Sequence, residues 1–229
     1  MKLGIMQPYF LPYIGYWQLM NVVDKYVIYD DVNYINKGWI NRNNILLNKQ
    51  SFLFILNLLG ASQNKLINEI SVDANQTKLI KTFEIAYKKA PFFDDIFHFV
   101  KHIIEYNDKN LANFVGNSII QIASYLGLKT EFIYSSEINK DCSLKGQEKI
   151  LNMCNVLQAT EYINSIGGIE LYSKEMFKEQ GIELKFIKSK SIEYKRFNNE
   201  FVPWLSILDV MMFNDKEKVK NFLKEYELV

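Results

Sequence analysis

Residues 7–17 have the sequence Gln7-Pro8-Tyr9-Phe10-Leu11-Pro12-Tyr13-Ile14-Gly15-Tyr16-Trp17, directly after the short apolar run of residues 2–6. The apolar run predicts a buried strand, and the apolar periodicity from Tyr16 onward predicts a helix. Two prolines within five residues stiffen the connection, because proline fixes φ. Gly15 allows a close approach of the backbone or tight packing of helix on strand. A stiff loop at the carboxyl end of a first strand is where open α/β sheets bind ligands. The alternative is a rigid aromatic connection that serves only the core.

A second predicted strand follows the first helix at once. Residues 24–31 have four consecutive aromatic or aliphatic side chains, Tyr26 to Tyr29, which is typical of a strand buried on both faces. The strand ends in two carboxylates, Asp30 and Asp31. Strand, helix and strand in this order predict a parallel βαβ unit with a right-handed crossover.

The rest of the chain alternates between apolar strand patterns and helical spacing. Residues 32–46 are rich in asparagine and lack clear periodicity, which predicts a shaped loop. Apolar residues at three- and four-residue steps over 75–127 predict a helical insert. Closing helices are expected over 206–213 and 215–226. The strands are predicted at 2–6, 26–30, 52–58, 131–135, 161–165 and 183–188. We therefore predict an α/β fold: one domain over 1–229 with a mainly parallel, Rossmann-like sheet and a helical insert at 75–127.

Composition limits the class of protein. The chain has 27 Lys and Arg against 26 Asp and Glu, so its net charge favours neither nucleic acid nor anionic membrane as a partner. Cys142 and Cys154 form no disulfide framework, and no signal peptide or membrane-spanning run is visible, so we expect a cytoplasmic protein. His98 and His102 lie four residues apart but lack the surrounding pattern of a metal motif, so we expect no metal.

Several polar groups fall where a site is expected. Asp30 and Asp31 could act as a base, position an amine or bind a metal, although neighbouring residues on a strand point to opposite faces. Arg42 could grip a phosphate or carboxylate, or could form an ordinary surface ion pair. Ser165, Gly167 and Gly168 follow another predicted strand. Glycines there expose backbone N–H groups that suit an anion, unless the segment is a plain turn.

The order of these motifs resembles the WbqC-like family of bacterial proteins over almost the whole chain. The resemblance rests on residues 7–16, 24–31 and 39–43, and on the later segments at 86–91, 126–136, 162–172 and 205–209. Met6 stands where many members carry a histidine, so the first strand supplies no imidazole here. The resemblance implies a role in the biosynthesis of O-antigen, lipopolysaccharide or other surface polysaccharides, and for some members glycine transfer to an amino sugar.

The resemblance and the residues together give one functional hypothesis. We expect acyl transfer, with glycyl as the acyl group, to the amine of a nucleotide-linked amino sugar. Asp30 or Asp31 would take the amine proton, with the Gln7 amide assisting. The remaining expected contacts with substrate are Tyr9, Tyr13, Gly15, Tyr16, Asn41, Arg42, Asn43, Ser165, Gly167 and Gly168. The cofactor is open: ATP with free glycine, or glycyl-tRNA as an activated donor.

Two alternatives remain at this point. The strand, proline-containing loop, helix and acid-ended strand are similar to HUP-type nucleotide-binding domains, which would fit a nucleotidyltransferase-like enzyme of the same pathway. The other alternative is a non-catalytic protein that binds a sugar nucleotide or a partner enzyme.

Overall fold

The computed structural model describes residues 1–197 and 200–229. Its strands are β1 (Lys2–Met6), β2 (Lys25–Ile28), β3 (Arg42–Leu47), β4 (Gln50–Ile55), β5 (Leu58–Leu59), β6 (Ser71–Val72), β7 (Glu131–Tyr134), β8 (Glu161–Ser165), β9 (Glu183–Ser189) and β10 (Tyr226–Leu228). Its α-helices are α1 (Ile14–Val22), α2 (Thr77–Tyr87), α3 (Phe93–Ile104), α4 (Leu111–Leu126), α5 (Gly146–Val156), α6 (Lys174–Glu179), α7 (Ile207–Phe213) and α8 (Lys216–Phe222).

Six strands form the central sheet, in the order β10-β9-β8-β1-β2-β7. All neighbours are parallel except β10, which runs antiparallel to β9. The predicted α/β fold with a mainly parallel, Rossmann-like sheet is therefore confirmed. The chain moves from β1 to β2 on one side and later returns to place β8 on the other side of β1. The strand order therefore reverses at the neighbouring strands β1 and β8.

Two hydrophobic cores cover the two faces of this sheet. Side chains alternate along a strand, so Tyr26 and Ile28 enter one core while Val27 enters the other. The larger core includes residues of α1, α2, α3, α4, α7 and α8, and the smaller core includes residues of α5 and α6. The region 75–127, predicted as a helical insert, contains α2, α3 and α4, which share the larger core with α1.

The predictions for residues 32–58 were partly wrong. Residues 52–58 were expected in the central sheet, but β4 pairs with β3 in a separate antiparallel hairpin, and β5 pairs with β6 in another two-stranded sheet. Residues 42–46, expected in a loop, belong to β3. The hairpin turns at Asn48 and Lys49, both with positive φ (51° and 65°), which matches the right-handed twist of its strands.

The end of the chain also differs from the prediction. The closing helix expected over 215–226 is shorter, because α8 ends at Phe222 and the chain then enters β10. Three residues of β10 are enough to add an antiparallel edge to β9, where Tyr226 lies opposite Ser189. A three-residue segment is too short for its sequence pattern to distinguish a strand from the last turn of a helix.

Candidate substrate-binding site

A large cavity lies at the carboxyl ends of β1 and β8, where the strand order reverses. Its volume is about 600 Å³. Two segments leave the sheet here: the loop after β1, which runs into α1, and the 3₁₀ turn Ile166–Leu171 after β8. A crevice at this position is the usual ligand site of open α/β sheets. Its lining residues are Ile5, Met6, Gln7, Pro8, Tyr9, Tyr13, Gly15, Tyr16, Leu19, Tyr29, Ile35, Gly38, Trp39, Ile40, Ile150, Asn164, Ser165, Gly167, Gly168, Leu171 and Tyr172.

The loop after β1 is held rigidly by contacts from distant parts of the chain. Leu11 adopts a positive φ of 49°, which is strained for a residue with a side chain. Its carbonyl oxygen accepts hydrogen bonds from Asn43 Nδ2 (2.6 Å) and Ser206 Oγ (2.7 Å). Trp17 Nε1 donates to the carbonyl of Pro12 (3.1 Å). The stiffness expected from the two prolines is therefore reinforced by side-chain hydrogen bonds.

Aromatic rings form much of the cavity wall. Tyr9 packs edge-on against Tyr16, with ring centroids 5.7 Å apart, and lies 6.2 Å from the ring of Trp39. Trp39 is half exposed and therefore stands at the rim. Tyr29, directly after β2, and Tyr172, after β8, complete the wall. Flat apolar rings of this kind stack on nucleobases and on the apolar faces of sugars.

The phenols in this wall remain neutral at physiological pH. Burial raises the pKa of Tyr9, Tyr16 and Tyr29 well above the usual value for tyrosine. The negative charge of Asp31 adds to the effect at Tyr29. Tyr16 donates its hydroxyl proton to the carbonyl oxygen of Gln7. These side chains can supply uncharged donors and acceptors but cannot act as bases near pH 7.

Two glycines permit close packing around the cavity. A Cβ on Gly15 would lie 2.5 Å from Tyr13 Cε2 and 2.5 Å from Ser189 Oγ, so any other residue in the first turn of α1 would force these side chains to move. A Cβ on Gly168 would touch Asn164 Cγ and Tyr172 Cε2, both at 3.4 Å. Gly15 therefore has the close-packing role that the sequence indicated.

Polar groups from β8 form the opposite wall. Asn164 is buried, accepts a hydrogen bond from the backbone N–H of Ser165 (2.6 Å) and donates to Tyr162 Oη (2.9 Å). These bonds fix the orientation of the amide at the cavity. The structure brings together most of the predicted contact residues here: Gln7, Tyr9, Tyr13, Gly15, Tyr16, Ser165, Gly167 and Gly168.

The two predicted carboxylates do not line the cavity, which corrects their expected placement. Asp30 is buried and accepts hydrogen bonds from Ser135 Oγ (2.9 Å) and from Ser136 N (2.9 Å) and Oγ (2.7 Å). Asp31 Oδ2 lies 2.8 Å from Lys140 Nζ and 3.4 Å from Lys149 Nζ. Both carboxylates thus join the end of β2 to the segment after β7.

The ion pairs of Asp31 keep it ionised. Burial acts to raise its pKa, but hydrogen bonds from Lys140 and Ser135 and the charges of Lys140 and Lys149 together lower it below the usual range. Lys149 also lies over the ring of Tyr29, 5.4 Å from its centroid. The charge cluster therefore stands directly behind one wall of the cavity.

The asparagines expected at the site have structural contacts instead. Asn41 Oδ1 accepts from Tyr34 Oη and its Nδ2 donates to the carbonyl of Leu56, both at 2.9 Å. Asn43 is buried and holds Leu11, as described above. Neither side chain lines the cavity, so contact of either asparagine with substrate stays a prediction that this geometry does not support.

Arg42 lies just outside the cavity rim. Its Nε donates to the carbonyl of Gly38 (2.8 Å), and its guanidinium lies over the ring of Trp39, 5.2 Å from the centroid. Its positive charge also reaches Tyr9, whose pKa it lowers against the larger effect of burial. Among the described residues no carboxylate pairs with Arg42. It therefore supports the tryptophan at the rim rather than forming the surface ion pair considered above.

Sequence reasoning missed several lining residues. Trp39, Asn164 and Tyr172 belong to motifs that carry the family resemblance, so their presence in those motifs was the available signal. Tyr29 directly follows β2 and precedes the two carboxylates, so its position at the carboxyl end of a central strand was the available signal.

Residues 1–197 and 200–229 contain neither a clustered set of metal ligands nor a membrane-spanning helix. These residues hold no group of three or more His, Cys, Asp or Glu side chains that could bind a metal ion. Within the same residues, no helix has the length and apolarity required to cross a membrane. Cys142 is exposed and Cys154 is buried, and both are free thiols.

Comparison with known proteins places the chain in a family. The WbqC-like protein family matches residues 7–221. The chain is 27% identical over 229 residues to the uncharacterized protein Rv1507c of Mycobacterium tuberculosis, with 97% of each chain covered. No solved structure matches the chain significantly. Because the family match covers nearly the whole sequence, including both segments that enclose the cavity, this chain belongs to the WbqC-like protein family.

Proposed function

We propose that this protein binds a nucleotide-linked amino sugar in the cavity and transfers an acyl group, most simply glycyl, to the sugar amine. The family supports a biosynthetic role in general terms. The observation that carries the proposal is a neutral, aromatic cavity of about 600 Å³ at the strand-order reversal between β1 and β8. This volume falls within the usual range for small-molecule sites.

The cavity suits a sugar nucleotide in its chemistry as well as its size. Tyr9, Trp39 and Tyr172 offer ring faces for a base or a sugar ring. The amide of Asn164 and the backbone at Gly167 and Gly168 offer hydrogen bonds to hydroxyl or carbonyl groups. A diphosphate carries negative charge, and the rim nearest to Arg42 is where that charge would be stabilised.

Transfer to the amine would proceed by direct attack. The amine nitrogen forms a bond to the acyl carbon, the bond from that carbon to the oxygen of the donor breaks, and one amine proton is released. Neither thiol is placed to form an acyl-enzyme: Cys142 and Cys154 lie outside the cavity, and burial raises the pKa of Cys154 to about 12. Oxyanion donors would be the Gln7 amide and the backbone N–H groups at Gly167 and Gly168.

Asp30 and Asp31 were expected to accept the amine proton, but both carboxylates bind neighbouring serines and lysines outside the cavity. The lining contains no carboxylate, histidine or thiol side chain among the described residues. The proposal therefore assigns catalysis to positioning of an amine that is already neutral, with the proton leaving to solvent or with the donor oxygen.

The same observation favours one alternative, a non-catalytic protein that binds a sugar nucleotide. A cavity with rings and amides but no acid or base among its described lining residues is sufficient for binding. Under this alternative the nucleotide sugar would bind with equal affinity, but no acyl group would be transferred from any donor.

The experiment measures binding and transfer separately. For binding, UDP- and dTDP-linked amino sugars are titrated into the protein while tryptophan fluorescence is recorded. For transfer, the mass of the sugar product of each incubation is measured by mass spectrometry. The donors are ATP with glycine, and glycyl-tRNA. Trp39→Phe should abolish the ligand-dependent fluorescence change, whereas Trp204→Phe, a matched change at an exposed tryptophan outside the cavity, should retain it. A mass gain of one glycyl group with either donor supports transfer, while binding without any gain supports the non-catalytic alternative.

A further inference from the structure

The β3–β4 hairpin has one edge that is open to solvent. On its inner side, the carbonyl of Asn44 in β3 accepts a hydrogen bond from Ser206 N (2.8 Å). On its outer side, no strand in residues 1–197 or 200–229 pairs with β4. The outer edge of β4 therefore presents unpaired backbone donors and acceptors.

The residues that form this open edge follow from the hairpin geometry. Leu47 lies opposite Gln50 around a two-residue turn, and this pair is hydrogen-bonded in such hairpins. Hydrogen bonding alternates along an antiparallel ladder, so Ser51, Leu53 and Ile55 direct their N–H and C=O groups outward.

The next residues show where the open edge ends. Leu56 N donates inward to the carbonyl of Asn41 (2.7 Å), as the alternation requires. The carbonyl of Asn57 accepts from Asp73 N (2.9 Å), which covers the outward side from that point. The open edge therefore extends from the turn at Lys49 to the segment at Asp73.

The composition of β4 is unusual for an exposed edge. The six residues Gln50–Ile55 include no charge and no proline, the usual protections against edge-to-edge pairing. Phe52, Leu53 and Ile55 are 42%, 41% and 49% exposed. An uncharged edge with three exposed apolar side chains favours the addition of another strand.

We propose that two copies of this chain associate through β4, antiparallel about a two-fold axis at Leu53. A strand paired antiparallel with its own copy is self-complementary, as a two-fold interface requires. Leu53 then faces Leu53 of the second copy, and Ser51 faces Ile55. The absence of charge in β4 avoids the like-charge contacts that a two-fold axis would create.

The ends of the strand fit this register. Residue 49 of one copy arrives opposite residue 57 of the other, so the exposed Lys49 meets the segment that carries Asp73. In this register, β4 of one copy ends at its turn, at Lys49. That end lies at the point where Asp73 covers the outer edge of β4 in the other copy. The open edge and the strand that would fill it therefore have the same length and opposite terminal charges.

The interface is small, which sets the expected affinity. Three exposed apolar side chains per copy amount to less than the roughly 800 Å² per partner of a standard interface. We therefore expect a reversible dimer with a dissociation constant on the order of micromolar. The test is sedimentation velocity of the full chain between about 1 and about 200 µM, a range that spans this value.

The expected result is a sedimentation coefficient that rises from that of one chain to that of two. Leu53→Lys places two ammonium groups at the two-fold axis and should weaken association at least tenfold. Val156→Lys is the matched control, because it changes another exposed apolar residue, on α5, to lysine. The proposal would be overturned if the wild-type chain remained a monomer throughout the range. It would also be overturned if Leu53→Lys and Val156→Lys weakened association equally.

A charge reversal tests the register itself. Lys49→Glu and Asp73→Lys should each weaken association, and the double variant should restore it because the opposite charges are only exchanged. Circular dichroism of each variant checks that the fold is retained. A double variant that associates more weakly than both single variants would refute the antiparallel pairing about Leu53.

Discussion

The buried ion pair between Arg196 and Asp209 gives the sharpest prediction about stability. Arg196 Nε lies 2.7 Å from Asp209 Oδ2, and the two side chains are 2% and 0% exposed. Tyr87 and Tyr194 donate to the same carboxylate at 3.0 and 2.7 Å. The guanidinium also lies over the ring of Phe201, 4.4 Å from its centroid. These contacts join the segment before α7 to α7 and α2.

Replacement of Arg196 by methionine should be strongly destabilising. The change leaves the buried carboxylate with its tyrosine donors but without a positive charge, which costs about 3–5 kcal/mol. For a chain of this length, each kcal/mol lowers the melting temperature by about 2–4 °C, so a loss of roughly 6–20 °C is expected. Urea unfolding and calorimetry measure the two quantities independently.

The loss should also depend on pH in a defined direction. Burial raises the pKa of Asp209, while Arg196, Tyr194 and Tyr87 oppose the rise. Without Arg196 the folded-state pKa rises further above the unfolded value, so the folded state binds the extra proton and regains stability as pH falls. The difference between wild type and Arg196→Met should therefore shrink as the buffer is taken from about pH 7 to about pH 5.

A surface ion pair supplies the control. Lys188 Nζ and Glu227 Oε1 are 3.0 Å apart, but their side chains are 58% and 48% exposed. Lys188→Met should therefore change the free energy of unfolding by less than about 1 kcal/mol. If Arg196→Met is no more destabilising than Lys188→Met, the reasoning about this buried network is refuted.

Three further predictions concern the site and its support. Asp31→Asn should reduce stability at neutral pH, because the depressed pKa of Asp31 contributes stability that is complete above the ordinary carboxyl pKa. The effect should be lost as pH falls through the lower folded-state pKa, and urea unfolding at several pH values measures it. Gly15→Ala should cost about 1–3 kcal/mol, since its Cβ would lie 2.5 Å from Ser189 Oγ; an unchanged melting temperature would contradict the packing described. Trp39→Ala should weaken sugar-nucleotide binding by about 1–3 kcal/mol, the usual value of one stacking ring, and calorimetric titration tests it.

The sequence was sufficient for the central sheet but not for the hairpin. The βαβ unit at residues 2–28 has an apolar run, a periodic helix and a second apolar run, and all three were located correctly. The apolar run at 52–58 looks the same in sequence, because a short apolar stretch does not reveal which sheet it joins. The amide-rich residues at the start of β3 lack hydrophobic alternation, since Asn43 and the preceding Asn41 are buried by hydrogen bonds rather than by apolar contacts.

The candidate site was also predictable only in part. The loop after β1 and the glycines after β8 were identified because strand ends converge at a known place in parallel sheets. Asp30 and Asp31 satisfy the same rule, yet Ser135, Ser136 and Lys140 lie after β7 and bind these carboxylates. A strand-end carboxylate in sequence does not show whether a partner from the neighbouring strand will reach it. Only the three-dimensional arrangement distinguishes a catalytic carboxylate from one that joins two strands.

The most direct measurement is a crystal structure of the protein with a bound dTDP- or UDP-linked amino sugar that binds in solution. We predict a base or sugar ring against Tyr9 and Trp39, with the amine near Gly167 and Gly168. Electron density for the ligand elsewhere on the protein, with this cavity empty, would show that the cavity is not the substrate site.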